Sequence, residues 1–228
     1  MVDRSRLFGE REGVAERIAP GFFWSSVEDD HLARYHWAAP LLRGKGVLDV
    51  ACGTGYGAEV LRKGGVRAVV SLDMSEDALR FGAAPFALRA VLGDAQRLPF
   101  PDEAFDACVS FETIEHVPEA EGFARELARI LRPGGALLLS TPNVLRSAGD
   151  NPHHVKEFTL EELTALLASA GLSLHRVAGQ HWRAQGVLWQ RVPGFRRLGW
   201  ELERRPRVTR VAPPRSEPLY WCVWAVKP

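Results

Sequence analysis

The 228-residue chain is poor in cysteine, in net charge and in long apolar runs, and each shortage excludes a class of protein. Its three cysteines, Cys52, Cys108 and Cys222, lie far apart in apolar segments. We therefore expect core thiols in a reducing compartment, not a disulfide framework. The formal net charge of +1 excludes a polyelectrolyte character for the whole molecule. No apolar run approaches a membrane span and the first residues lack the apolar segment of a signal peptide, so we expect a cytoplasmic protein without a membrane span.

Glycine, by contrast, is plentiful, and it clusters after one apolar run. Residues 47–50 have the composition of a buried parallel strand, and Gly53, Gly55 and Gly57 follow at alternate positions. Glycine allows positive φ and lets a ligand approach the backbone, and the helix that follows presents unpaired N–H groups. The pattern predicts a nucleotide-binding turn.

The spacing of this turn separates two cofactor classes. A dinucleotide fingerprint needs G-x-G-x-x-G, whereas this chain has G-x-G-x-G with Asp49 four positions before Gly53. A carboxylate in the turn repels pyrophosphate and attracts a sulfonium or ammonium group. The turn therefore favours S-adenosylmethionine over NAD.

The stretch resembles motif I of the class I S-adenosylmethionine-dependent methyltransferases, D-x-G-x-G-x-G, with Ala51 in place of the first glycine. Alanine is a mild change unless position 51 needs positive φ. The resemblance implies that the turn contacts the cofactor through Asp49, Ala51, Cys52, Gly53, Thr54 and Gly55.

Two acids downstream complete the expected cofactor site. Asp73 ends an apolar strand about twenty residues beyond the turn, where nucleotide-binding folds carry the acid that accepts the ribose hydroxyls, and Met74 beside it is a further expected contact. The segment beginning Gly-Asp-Ala at residue 93 resembles the methyltransferase segment whose acid accepts from the adenine amino group. The resemblance gives that role to Asp94, with Ala95 beside the ring.

Further cofactor contacts are expected from two other segments. A helix at 28–42 precedes the first strand, and in related methyltransferases such a helix touches the methionine end of the cofactor. Arg34 and Tyr35 resemble such a pair, although a core tyrosine and a surface arginine are an equal alternative. Phe111 and Glu112, at the end of a fourth strand, are expected to border both ligands.

The pattern as a whole predicts an α/β fold: a Rossmann-like, doubly wound, mostly parallel seven-stranded sheet with an antiparallel last strand. The segment at 131–143 also resembles the helix–turn–strand that follows motif IV in small-molecule methyltransferases. We expect a single domain made of an N-terminal arm and helix (1–45), a cofactor-binding core (46–178), an insertion (179–218) and the last strand (219–228).

The insertion is basic and aromatic. Ten arginines lie between Arg176 and Arg215 against two glutamates, with three tryptophans and a phenylalanine among them. One interpretation is a lid for an anionic or lipid-linked acceptor, because arginine binds phosphate in a bidentate manner. A nucleic-acid patch and a solvated basic subdomain are the alternatives.

Histidines supply the candidate bases. Methyl transfer from a sulfonium needs alignment of the acceptor and, for a hydroxyl, removal of a proton. His116 follows the fourth strand, and His153 and His154 follow the fifth. The Asn-Pro-x-His-x-x-Glu-Phe pattern at 151–158 resembles one found in O-methyltransferases of sugars and other small acceptors, which makes His154 the first candidate, with Glu157 in support. A structural role for His116, bonded to a loop carbonyl, is the alternative.

These features predict an S-adenosylmethionine-dependent methyltransferase that acts on a hydroxyl of a small sugar, lipid-linked or aromatic acceptor. C-methylation stays open, and an RNA- or tRNA-directed methyltransferase or a non-catalytic S-adenosylmethionine-binding protein is the alternative. The chain lacks the Asp/Asn-Pro-Pro-aromatic tetrad of exocyclic-amine enzymes, so we expect no nucleic-acid partner. We also expect no metal, because Glu112 and Glu115 alone make too small an oxygen cluster.

Overall fold

Helices and strands alternate along the chain. The computed structural model describes residues 28–149, 151–182, 209–214 and 216–228. The α-helices are α1 Glu28–Leu41, α2 Tyr56–Lys63, α3 Glu76–Ala83, α4 Ala120–Ile130 and α5 Leu160–Ser169, and a 3-10 helix spans Ile114–His116. The strands are β1 Gly46–Val50, β2 Ala68–Asp73, β3 Ala90–Leu92, β4 Phe105–Phe111, β5 Leu131–Pro142, β6 Ser173–Trp182, β7 Thr209–Ala212 and β8 Tyr220–Val226.

The described strands form one sheet in the order β3-β2-β1-β4-β5-β8-β6-β7. Strands β1 to β5 are parallel, and β8 runs antiparallel to both β5 and β6. The predicted Rossmann-like α/β fold with an antiparallel last strand is thus confirmed, but the sheet has eight strands where seven were predicted. The eighth is β7, which pairs antiparallel with the end of β6 inside the segment predicted to be an insertion.

Helices cover both faces of the sheet, so the parallel strands are buried on two sides. On one face, α4 and α5 contribute Phe123, Leu127 and Leu163 to a core that includes Leu48 and Leu137. On the other, α1 and α2 pack over the alternate residues of the same strands. Cys52, Cys108 and Cys222 are buried free thiols, as expected.

Two helix starts are capped by side chains. The Thr159 hydroxyl accepts from the Glu162 backbone N–H (3.1 Å), and the Glu162 carboxylate accepts from the Thr159 N–H (2.9 Å). This capping box begins α5 directly after the segment 151–158, which carries His153 and His154 and is called the histidine loop below. The Ser75 hydroxyl likewise accepts from Ala78 N–H at the start of α3.

The strand order reverses between β1 and β4, and ligands of open α/β sheets bind at the carboxyl ends of the strands beside such a switch point. The glycine turn and Glu112 lie at these ends. The expected N-terminal arm and residues 183–208 of the insertion, which carry most of its arginines, lie outside the described residues. Among the described helices, none has both the length and the apolar composition that crossing a membrane requires.

Candidate active site

Asp49 lies near the end of β1 and is a buried carboxylate with one satisfied oxygen. The Tyr35 hydroxyl donates to Oδ1 at 2.9 Å. Oδ2 is buried and has no hydrogen-bond partner among the described residues. Burial raises the pKa of Asp49 to about 7, the Tyr35 hydrogen bond opposes this rise, and the charge of Asp73 adds to it. An approaching cation compensates for this desolvation, so the site favours a positively charged ligand.

The glycines of the turn serve different purposes. Gly53 and Gly55 have φ of 57° and 80°, in the left-handed region that glycine enters at little cost. Gly57 has an ordinary φ, but a Cβ there would lie 2.1 Å from the Tyr35 ring. Ala51 has φ of 58° without being glycine, so the departure from the motif falls where it carries strain. Cys52 and Thr54 are buried within the turn.

Asp73 joins the glycine turn to the start of α3. One carboxylate oxygen accepts from Gly53 N–H at 2.7 Å, and the other accepts from Ser75 N–H at 2.8 Å. A carboxylate has about four acceptor positions, so both oxygens keep capacity for ribose hydroxyls. Met74, next to it, is 78% exposed at the same strand end.

Asp94 and Ala95 follow β3 at the neighbouring strand end. The Asp94 side chain is exposed, and its Oδ1 accepts from Gln96 N–H at 2.8 Å. This local bond orders the loop in the manner of an Asx turn. Ala95 is partly buried against the core.

Arg34 on α1 is fully buried, which excludes the surface arginine of the alternative interpretation. Its Nη2 lies 3.4 Å from Glu112 Oε2, and its guanidinium stands over the Tyr220 ring at 4.5 Å. None of its three nitrogens makes a hydrogen bond within the described chain. Burial opposes its charge, but Glu112 and other neighbours outweigh burial and raise the pKa of Arg34. Tyr35 does not pair with it and turns instead towards Asp49.

Glu112 has an unusual backbone at the end of β4. Its φ is 52°, and its N–H is held by the carbonyl (3.1 Å) and hydroxyl (3.2 Å) of Ser140. The Ser140 hydroxyl donates in turn to Glu112 Oε1 at 2.7 Å. Strained non-glycine residues of this kind cluster at functional sites. Phe111 before it is buried, with its ring 5.0 Å from that of Tyr35.

The candidate bases lie on two segments that meet beyond β4 and β5. His116 and His154 pack edge to face with ring centroids 4.8 Å apart. His154 Nδ1 lies 2.6 Å from Glu157 Oε1, as the prediction of a supporting carboxylate requires, and its Nε2 lies 2.8 Å from the Asn151 amide nitrogen. His116 Nδ1 bonds the His153 carbonyl at 3.1 Å, which is the contact of the structural alternative. The His153 side chain is exposed.

From the sequence, Glu115 is expected only as part of an oxygen cluster too small for a metal, with no other role, yet its side chain lies between the other residues of the site. It is fully buried, and Thr141 donates to its Oε2 at 3.1 Å. Its Oε1 has no hydrogen-bond partner among the described residues. Burial and the neighbouring Glu112 raise the pKa of Glu115 well above its usual range. The only sequence signal was its place next to His116, because its buried neighbours come from distant segments.

Comparison with known proteins identifies the family. A family described as "Methyltransferase domain" matches residues 48–139. A probable S-adenosylmethionine-dependent methyltransferase of Mycolicibacterium smegmatis is 34% identical over 73% of this chain and 67% of its own length. A second protein so named, from Mycobacterium tuberculosis, is 36% identical over 62% of this chain, which spans only 53% of that relative. A demethylmenaquinone methyltransferase of the same organism is 33% identical, with 66% of this chain and 71% of that protein covered.

A solved structure extends the likeness to the fold. The chain of an S-adenosylmethionine-dependent methyltransferase from Thermotoga maritima aligns with a TM-score of 0.64 over 87% of this chain and 89% of its own, at 19% identity. At that identity the likeness concerns the fold alone, whereas the sequence relatives carry the family assignment. The chain belongs to the class I S-adenosylmethionine-dependent methyltransferase family, and its cofactor is S-adenosyl-L-methionine.

Proposed function

We propose that the chain transfers a methyl group from S-adenosylmethionine to a hydroxyl of a small, largely apolar acceptor. The observation that carries this proposal is a pair of buried groups of opposite charge whose hydrogen-bonding capacity the described chain leaves unused. They are Asp49, through Oδ2, and the guanidinium of Arg34. The methionine end of the cofactor offers an ammonium, a sulfonium and a carboxylate, so its charges complement both groups.

The remaining cofactor contacts follow from the strand ends. Asp73 accepts the ribose hydroxyls while it continues to hold Gly53 and Ser75. Asp94, Ala95 and the exposed Met74 side chain receive the adenine ring. The cofactor supplies an already activated methyl group, so the protein mainly aligns the acceptor and excludes water.

The acceptor side contains the pair His154 and Glu157. With Nδ1–H donating to the Glu157 carboxylate, the basic lone pair of His154 is on Nε2. The Asn151 amide donates to this nitrogen in the present arrangement, so we propose that an acceptor hydroxyl displaces Asn151 and gives its proton to Nε2. Glu157 then stabilises the charged ring.

Two observations support a small apolar acceptor. Val144 and Leu145 shortly precede the segment 151–158 and Val155 lies within it, and these apolar side chains are 40%, 63% and 58% exposed, so they favour an apolar ligand if they form one patch. In addition, the name of one relative specifies a quinone-class acceptor, demethylmenaquinone. That name favours C-methylation of a quinone ring as the second candidate reaction.

The test uses a cofactor with a labelled methyl group and three acceptor panels: phenols and quinols, sugars, and RNA. We expect label in the hydroxyl of a phenol or quinol, located by mass spectrometry of the product, and label in a sugar contradicts the apolar acceptor. Label on a ring carbon supports the second candidate, and label in RNA overturns the proposal. His154→Ala should lower turnover by about 10²- to 10⁴-fold, the usual contribution of a general base, with cofactor affinity retained in calorimetry. His36→Ala, which removes an exposed histidine on α1, is the matched control.

A further inference from the structure

Glu115, His116 and His154 form a compact group of metal-binding side chains. Each offers one ligand atom, and the three atoms lie within 4.8 Å of one another. The two segments that carry them are fixed together by their backbones, because Val155 N–H and Lys156 N–H both donate to the Glu115 carbonyl, at 2.7 and 3.2 Å. The group is therefore part of the folded framework.

Both imidazoles are oriented by a neighbour on Nδ1. His116 Nδ1 bonds the His153 carbonyl, and His154 Nδ1 bonds the Glu157 carboxylate. Metal-ligating histidines nearly always donate their second ring N–H to a carbonyl or a carboxylate. The nitrogen of each ring that would bind an ion is then Nε2, and on His154 the ion would replace the contact with the Asn151 amide. Asn151 stabilises the same tautomer of His154, because its amide group donates to Nε2.

The third proposed ligand, Glu115, has a buried oxygen atom without a hydrogen-bond partner among the described residues. Glu115 is fully buried, and its Oε1 lacks a hydrogen-bond partner in the described chain. A buried, unpaired carboxylate costs several kcal/mol if ionised (about 3–5 kcal/mol when its partner is missing). A bound cation removes this cost.

We propose that Glu115, His116 and His154 bind a divalent transition-metal ion of the zinc class. Two imidazoles and one carboxylate are a ligand set of catalytic zinc sites, which keep a further position open. Magnesium and calcium prefer oxygen ligands throughout. At zinc–ligand distances of about 2.0–2.2 Å, tetrahedral ligand atoms lie about 3.4 Å apart, so the group needs to contract by no more than about 1.5 Å.

A role for this metal in the reaction rests on the proposed function. An ion held by these three ligands would have a further position for an acceptor hydroxyl, and it would lower the pKa of that hydroxyl. The proton leaves to water, and the oxygen lone pair forms the bond to the methyl carbon as the carbon–sulfur bond breaks. In the metal-bound protein His154 is thus a ligand, whereas in the metal-free protein it is the base.

The test of binding needs no acceptor. The full chain is stripped with a chelator, and Zn²⁺, Mn²⁺ and Mg²⁺ are each titrated by calorimetry, with metal content measured after dialysis. We expect one equivalent of Zn²⁺, weaker Mn²⁺ and no measurable Mg²⁺. Glu115→Gln and His116→Ala should each weaken Zn²⁺ binding by at least tenfold, and Glu157→Gln by about 10-fold through the neighbouring shell. His36→Ala, which removes an exposed histidine on α1 outside this group, should leave Zn²⁺ affinity within about twofold.

Absence of stoichiometric zinc in the wild-type chain overturns the proposal, as does equal zinc affinity in Glu115→Gln, His116→Ala and wild type. The circular dichroism spectrum identifies a variant that has not folded. If either Glu115→Gln or His116→Ala fails to fold, the zinc affinity of the other variant tests the proposal. Failure of methyl transfer with zinc bound contradicts the proposed function and leaves the metal site standing. Full activity of a zinc-free protein contradicts only the role of the metal in the reaction.

Discussion

The cofactor side of the sheet edge (residues 49–57 and 73–75) and the acceptor side (residues 112–116 and 151–158) hold their polar groups in different ways. On the cofactor side, backbone N–H groups from the glycine turn and from the start of α3 satisfy Asp73, and a single side-chain bond, from Tyr35, holds Asp49. On the acceptor side, side chains bond side chains: Ser140 to Glu112, Thr141 to Glu115 and Glu157 to His154.

The difference explains which part of the site follows from sequence. A site whose polar groups are held by the backbone depends on a local pattern of glycines and one acid, so the same motif forms it in many chains. A site whose polar groups are held by other side chains depends on residues from several segments that only the fold brings together. A cofactor site of this kind can therefore be recognised from a motif, whereas the acceptor site is visible only in the fold.

The largest expected effect sharpens the comparison at Asp49. Asp49→Asn keeps the shape and removes the charge, so S-adenosylmethionine affinity should fall about 10- to 100-fold, the equivalent of ~1.5–3 kcal/mol for an interaction with a charged group. Calorimetry measures this. Asp77→Asn, the same charge change at an exposed position in the first turn of α3, should have no effect. Equal affinity in the two variants contradicts an electrostatic role for Asp49.

The second prediction concerns the packing of the cofactor side at Gly57. In Gly57→Ala the new Cβ meets the Tyr35 ring at 2.1 Å, and the ring cannot move without breaking its bond to Asp49. We expect a loss of about 1–3 kcal/mol in the free energy of unfolding, measured by denaturant titration, together with weaker cofactor binding. Gly149→Ala, at a loop glycine with open space around it and φ of 66°, tests the effect of φ alone and should cost less.

The third prediction concerns pH. Because burial raises the pKa of Asp49 to about 7, the carboxyl group is largely protonated at pH 6 and largely charged at pH 8. The cationic cofactor prefers the charged form, so its affinity should rise by up to about tenfold from pH 6 to pH 7.5, with proton release on binding. Calorimetry in two buffers of different ionisation enthalpy measures both the cofactor affinity and the number of protons released. The dependence of cofactor affinity on pH should vanish in Asp49→Asn. If it persists in that variant, another group is titrating.

Much of the fold could be predicted because its signals are local. The apolar runs, the cap of Ser75 and the capping box of Thr159 each depend on residues that are only a few positions apart in the sequence. The strand β7 could not be predicted, because Thr-Arg-Val-Ala is a short segment within an arginine-rich region and its partner Gly179–Trp182 lies about thirty residues away. Non-local pairing of this kind leaves little trace in sequence.

The candidate site divides in the same way. Asp49, Asp73 and the glycine turn meet as the motif predicts, and Glu157 reaches His154 within one turn of the chain. The burial of Arg34 and the position of Glu115 are set by packing against β4, β5 and β8, so the sequence left a cofactor contact and a surface position equally open for Arg34.

The fourth prediction tests the acceptor side alone. Thr159→Ala removes the cap of α5 and should cost about 1 kcal/mol of unfolding free energy. Because the cap directly follows the histidine loop, amide hydrogen exchange should increase at 151–162 and stay unchanged at 49–57. Cofactor affinity should also be unchanged. Equal loosening of both sides contradicts their separation into two independently held regions.

The smallest effect is expected at Ala51, the departure from the family motif. Its φ of 58° costs an alanine roughly 1–2 kcal/mol, and Ala51→Gly relieves this strain at an entropic cost of about 0.5–1 kcal/mol in the unfolded chain. The balance predicts a gain of about 0.5 kcal/mol in unfolding free energy, with cofactor affinity unchanged or slightly higher. Thermal unfolding with and without cofactor measures it. A loss of stability shows that the alanine methyl group makes contacts worth more than the strain, and the cofactor side then depends on packing as much as the acceptor side does.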